Sequence, residues 1–225
     1  CVCCTLFSRL DSSFLLCDIL KPVGFHIEGI HGLCCAFFTA PLFFVWRCMN
    51  VQKWKIINKD YLDYLRENYE SRIPRTDYGN DKLKPFFGEL MRVGDLAYVT
   101  QVSSAKPRHN KIKANIDFQK IIHNDVLIAV VNLNYMFPVP VSEMTDLEYG
   151  KIEEYVDFKN DTAKSKYIDL LKREMKYIKE LPLENNARSL YALKYDKPEH
   201  VISKRCFDFK TLENGAHKWT EKLIK

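Results

Sequence analysis

Beyond residue 48 the chain has almost no cysteine. Cys1, Cys3, Cys4, Cys17, Cys34, Cys35 and Cys48 make up seven of its eight, and Cys206 stands alone in the rest. One thiol cannot build a disulfide framework, so the body is expected to rely on a hydrophobic core in a reducing, cytoplasmic setting. Also lacking are a P-loop, a G-x-G-x-x-G, an H-E-x-x-H, internal repeats and low-complexity tracts. Their absence removes the sequence grounds for a P-loop nucleotidase, a dinucleotide-dependent oxidoreductase, a zinc protease of that type or a solenoid. Excess charge is scarce too. A net +5 over 225 residues is a mild hint of a polyanionic partner, so local clustering carries more weight than the total.

Residues 1–48 stand apart in composition. They hold three acidic and three basic residues, so the whole positive excess falls on residues 49–225. Residues 29–46 are uncharged and mostly apolar, about the length of a membrane span. Pro41, two glycines and a histidine interrupt them, and no cleavage pattern follows a basic start. Neither cysteine cluster has zinc-finger spacing, and no metal is assigned. The segment reads as an extension outside the fold, with the folded domain expected over residues 49–225.

From Met49 the patterning becomes regular. Residues 51–57 alternate as a strand, and Asn58 is placed to cap a helix over residues 59–69 that buries Leu62, Leu65 and Tyr69. A polar loop, residues 75–81, precedes a hairpin over residues 85–102 that turns at Gly94-Asp95. Residues 116–122 and 126–133 supply two more strands, the second apolar on both faces and therefore central. Prolines at alternate positions make residues 136–141 an edge or crossing segment. From Asp161 the period becomes helical: Tyr167, Leu170, Leu171, Met175 and Ile178 share a face, with Lys166, Asp169, Lys172, Arg173 and Lys176 opposite, up to Pro182. A shorter helix is expected over residues 183–194, an extended piece over 206–209 and a last helix over 211–224. Strands followed by helices make the fold class α+β.

The chemistry concentrates after the hairpin. Residues 102–110 read Val-Ser-Ser-Ala-Lys-Pro-Arg-His-Asn, followed by Lys111 and Lys113, in what should be an exposed loop. RNA carries its own nucleophile, the 2′-hydroxyl. An enzyme cutting it must remove that proton, stabilise charge on the phosphoryl oxygens and assist the departing 5′-oxygen. Lysine suits the charge, serine the non-bridging oxygens and histidine the proton. The same basic residues could instead contact phosphates without chemistry, which leaves a non-catalytic RNA-binding protein as the alternative.

Several stretches, in order, resemble the ToxN/AbiQ family of endoribonuclease toxins from type III toxin–antitoxin and abortive-infection systems. They are Trp-Lys-Ile-Ile-Asn-Lys-Asp-Tyr-Leu-Asp-Tyr-Leu at 54–65, Lys-Pro-Phe-Phe-Gly at 84–88, Ser-Ser-Ala-Lys at 103–106 with His109-Asn110, Val-Asn-Leu-Asn-Tyr-Met-Phe-Pro at 131–138, and Tyr-Ile-Asp-Leu-Leu at 167–171. The resemblance implies a compact, strongly twisted, mostly antiparallel sheet of the Kid/MazF kind with long helices added. It implies metal-independent RNA cleavage to a 2′,3′-cyclic phosphate, with no cofactor. It implies catalytic residues Tyr61, Lys84, Ser103, Ser104 and Lys106, to which His109 is added as a proton carrier. Arg108, Lys111, Lys113, Lys82 and Tyr78 are assigned to RNA binding. The implied partners are a small repeat-derived antitoxin RNA folded as a pseudoknot, in a closed ring with the toxin, and cellular or phage RNA as substrate, with no membrane. Departures at Ala105 and Pro107 put the loop's shape in question, and Tyr78 is offset from the position where the family has an active-site tyrosine.

Overall fold

In a computed structural model the described residues are 53–75 and 84–224, all within the unit Arg47–Lys225. The expectations for residues 1–48, Tyr78 and Lys82 fall outside them. Strand β1 (Lys53–Ile57) leads into α1 (Lys59–Asn68), whose cap is the predicted one: the Asn58 side chain accepts from the Asp60 N–H. Strands β2 (Phe86–Val93) and β3 (Leu96–Ser104) form the predicted hairpin. Gly94 turns it at φ +61°, a backbone that L side chains rarely adopt. At Gly88 an added Cβ would lie 2.7 Å from Val99 Cγ1, so the close approach of the two strands there needs glycine.

A short helix, α2 (Pro107–Lys111), follows β3. Strands β4 (Phe118–His123) and β5 (Val126–Asn132) come next, joined at Asn124 and Asp125, both at positive φ as a tight type I′ connection requires. Strands β6 (Phe137–Pro140) and β7 (Met144–Asp146) complete an antiparallel seven-stranded sheet in the order β4-β5-β3-β2-β1-β7, with β6 also on β3. Helices α3 (Asp161–Ile178), α4 (Leu183–Asp196), α5 (Val201–Arg205) and α6 (Phe209–Ile224) follow. The α+β class is as expected. The tail is more helical than expected: α5 precedes Cys206, and α6 starts at Phe209 after Asp208, whose side chain accepts from the Thr211 N–H at 3.2 Å, while the Phe209 ring packs flat on Tyr191 at 5.7 Å and edge-on to Tyr98 at 5.9 Å.

Strand β3 is the axis of the sheet. Residues Leu96 to Val99 pair with β6, whereas Val102, Ser103 and Ser104 pair with Val131, Val130 and Ala129 of β5. The prolines of β6 are tolerated because that strand pairs with β3 alone. The core lies between sheet and helices, where Phe86, Phe87, Leu96, Tyr98, Phe137, Phe207 and Phe209 are fully buried. Helix α3 is tied to β1 by the Trp54 indole N–H, which donates to the Leu171 carbonyl at 3.1 Å. That bond fixes the height at which the inner side chains of α3 meet the sheet.

Candidate active site

The expected loop at 102–110 is largely ordered secondary structure. Strand β3 runs on through Ser103 and Ser104, and the Ala105 N–H still bonds the Ile128 carbonyl at 3.2 Å. Pro107 then opens α2, where its fixed φ and missing N–H cost nothing. His109 shapes this corner: its Nδ1 accepts from the Lys106 N–H at 3.2 Å, its own backbone N–H bonds the Lys106 carbonyl at 2.8 Å, and its ring packs edge-on to Phe118. The histidine is only 5% exposed. Burial, and then the positive charges of Arg108, Lys106 and Lys120, hold its pKa below the ordinary value. It is therefore placed as a neutral cap inside the corner, and it is not among the residues lining the cavity described next. Lys106, Arg108, Lys111 and Lys113 are exposed. The segment after them is anchored where the Asp117 carboxylate receives Arg205 through two bonds, at 2.6 and 2.8 Å.

The extension of β3 separates the two serines. Successive side chains of a strand point to opposite faces, so Ser104 shares a face with Val102 and Ser103 takes the other. On the Ser104 side lies a cavity of about 230 Å³. Its walls are Trp54 of β1, Lys84 and Pro85 leading into β2, and Val102 and Ser104 of β3. Helix α3 closes it with Tyr167, Leu170, Leu171 and Glu174. Lys84 and Ser104, expected together, do meet here, and Ser103 is not among the lining residues.

Tyr61 lies apart from this cavity. It is fully buried, its hydroxyl donates to the Pro138 carbonyl at 2.7 Å, and its ring packs edge-on to Trp219. Burial, then the nearby negative charge of Glu143, keeps the phenol well above its usual pKa. A hydroxyl enclosed by α1, β6 and α6 bolts the core together and does not line the cavity.

Sequence reasoning missed Glu174. It is buried in the cavity wall, and burial pushes its carboxyl up to about 7. Tyr167, four residues before Leu171, has its hydroxyl raised as well, by burial and then by the charge of Glu174. A signal was present: Tyr167, Leu171, Glu174 and Ile178 follow one another at intervals of four, three and four, so an acid sits on the apolar stripe of a helix. Such a group is buried against its preference, and perturbed titratable groups in clefts mark functional sites. One cation, Lys84, a hydroxyl, a titrating carboxyl and apolar walls thus surround one space.

Residues 53–217 match the family described as Toxin ToxN, type III toxin-antitoxin system. The chain belongs to the ToxN family. The endoribonuclease ToxN of Pectobacterium atrosepticum is 26% identical over 107 residues, which is 44% of this chain and 61% of that relative. Two solved structures share the ToxN fold. One, from work on selective toxin inhibition by a non-coding RNA pseudoknot, has a TM-score of 0.61 at 22% identity, over 76% of this chain and 98% of that one. The other, AbiQ, a lactococcal anti-phage endoribonuclease, has a TM-score of 0.60 at 20% identity, over 76% and 98%. The ToxN match spans every residue named in the cavity and in α2. Among the described residues no helix is long and apolar enough to cross a membrane.

Proposed function

We propose that the protein is a sequence-selective endoribonuclease toxin of a type III toxin–antitoxin system, acting in phage defence in the cytoplasm and folded from about Met49 onward. The observation that carries this reading is the meeting of Lys84 and Ser104 in one cavity, with the exposed cations Lys106, Arg108 and Lys111 following Ser104 directly in the chain. The RNA backbone lies along Lys106, Arg108, Lys111 and Lys113, which are exposed, and Tyr78 and Lys82 keep the RNA-binding role that the resemblance implies. Ser104 donates to a non-bridging oxygen of the scissile phosphate, and Lys84 and Lys106 balance the charge that builds there. The substrate's 2′-hydroxyl attacks in line, leaving a 2′,3′-cyclic phosphate, and no step calls for a metal. The same surface takes the inhibitor, a pseudoknotted antitoxin RNA that the toxin cuts from its own repeats and with which it closes a ring. The family match over residues 53–217 and the relative in Pectobacterium atrosepticum support this reading. Ser103 is kept as a minor member of the site, on the opposite face of β3.

Purified protein incubated with RNA in EDTA tests the proposal. Discrete fragments ending in cyclic phosphate are expected. RNA retained without fragments leaves the non-catalytic RNA-binding reading, which the burial of His109 and Tyr61 favours by thinning the set of reactive groups.

A further inference from the structure

We propose that Glu174 is the general base of the cleavage step, taking the proton of the attacking 2′-hydroxyl when the scissile phosphate is held at Ser104 and Lys84. The inference rests on the endoribonuclease reading above and assigns the proton removal that reading leaves without a residue. The cavity offers an ammonium from Lys84, a hydroxyl from Ser104, a phenol from Tyr167 and a carboxyl from Glu174. A lysine in its ordinary ammonium form has no lone pair to accept a proton, a serine hydroxyl is too weak a base, and the Tyr167 phenol stays protonated. Histidine is the usual alternative, yet His109 has its Nδ1 engaged by the Lys106 N–H and is buried in its own corner. The carboxylate is the remaining acceptor.

Its placement suits the task. The bond from Trp54 to the Leu171 carbonyl fixes α3 one turn before Glu174, so the carboxyl is held by a rigid element and not by a loop. The walls around it, Trp54, Leu170 and Leu171 among them, are apolar. Apolar walls favour the neutral acid over the carboxylate, so they assist the transfer that creates it. Burial brings the carboxyl to about 7, which makes it a stronger base than an exposed carboxylate and leaves it half ionised near neutrality. Among the described residues lining the cavity the other titratable groups are Lys84, on the segment entering β2, and Tyr167, on its own helix; β1 and β3 contribute Trp54, Val102 and Ser104, which carry no charge. In the step, the 2′-O–H bond breaks and its proton goes to Glu174 while the 2′-oxygen bonds phosphorus. The bond from phosphorus to the 5′-oxygen breaks, and that oxygen takes a proton from water. Glu174 then returns its proton to solvent.

The test compares full-length wild type, Glu174→Gln and Glu174→Asp in single-turnover RNA cleavage in EDTA from about pH 5.5 to about pH 9, with RNA binding and thermal melting measured alongside. Wild type is expected to lose rate below about pH 7. Glu174→Gln should melt cooperatively, bind RNA as wild type does, cut about 100-fold or more slowly and lose the pH dependence, while Glu174→Asp recovers part of the rate. A Gln variant that cuts at the wild-type rate, one that binds weakly but cuts normally at saturation, or a wild type with no acidic limb overturns the assignment and leaves the endoribonuclease reading standing. A wild type that yields no fragments removes that reading and this one with it.

Discussion

Two regions that flank Ser104 treat charge in opposite ways. Helix α2 and its cap display Lys106, Arg108 and Lys111 to solvent and bury the neutral His109, whereas the cavity wall of α3 shows apolar side chains and buries one carboxyl among them. Solvated cations are suited to hold a phosphate chain, because each neutralised phosphate releases counterions and needs no exact geometry. A group that must exchange protons needs a shielded place that sets its pKa. Binding and chemistry are thus divided between neighbouring surfaces, and Ser104 stands where they meet.

The largest effect that should break this division comes from the meeting point. Ser104→Ala and Lys84→Ala should each lower single-turnover cleavage by roughly 100-fold or more, the usual cost of removing one donor at a developing charge, with melting temperature unchanged. Lys106→Ala should abolish growth toxicity and leave the protein folded. Persistent toxicity would remove Lys106 from the mechanism.

A second prediction sharpens the contrast through stability. The Glu174 carboxyl is raised to about 7 in the folded protein from an ordinary 4.5, so its ionisation costs the native state free energy. That cost grows as pH rises from about 4.5 to about 7 and is constant above, reaching at most about 3 kcal/mol. Glu174→Gln should therefore melt higher than wild type at about pH 8, and the gain should vanish below about pH 4.5. Denaturant titrations at both pH values check it.

Tyr61→Phe should cost about 1–2 kcal/mol by leaving the buried Pro138 carbonyl without its donor, and should leave the cleavage rate untouched at temperatures where the variant is folded. A rate loss of about 100-fold without loss of stability would restore Tyr61 to the site. On the α2 side, Arg108→Ala and Lys111→Ala should weaken RNA binding by less than about tenfold, each lowering the salt slope of binding by about 0.7, with the rate at saturation preserved. The smallest effect belongs to Ser103→Ala, which should change cleavage by no more than about twofold, since Ser103 lies across the strand from the cavity.

Much of the architecture is readable in residue order. The Asn58 cap, the Gly94 hairpin, the proline-spaced β6 and the start of α3 all follow from local chemistry, and each is where that chemistry puts it. Where placement differs from expectation the cause is shared: local reading does not say which face of an element the fold will cover. Tyr61 is four residues before Leu65 and so belongs to the buried stripe of α1, but a likeness to the family's active-site pattern outweighs that spacing. Ser103 and Ser104 read as one pair when β3 ends at Val102; two more strand residues place them on opposite sides. The same spacing rule places Glu174 among apolar residues, yet one of the three carboxylates on a long helix draws no notice until the strand bearing Ser104 lies across from it. Cys206 needs no such context: as the single thiol of the body it has no partner for a disulfide, and it is buried and free.

One comparison of ends and rates is the most direct test. Wild type and Ser104→Ala, incubated with the same RNA in EDTA under single-turnover conditions, should differ by about 100-fold in the release of fragments bearing 2′,3′-cyclic phosphate. Equal rates from the two proteins, or fragments ending in 3′-hydroxyl, would contradict the placement of cleavage at Ser104.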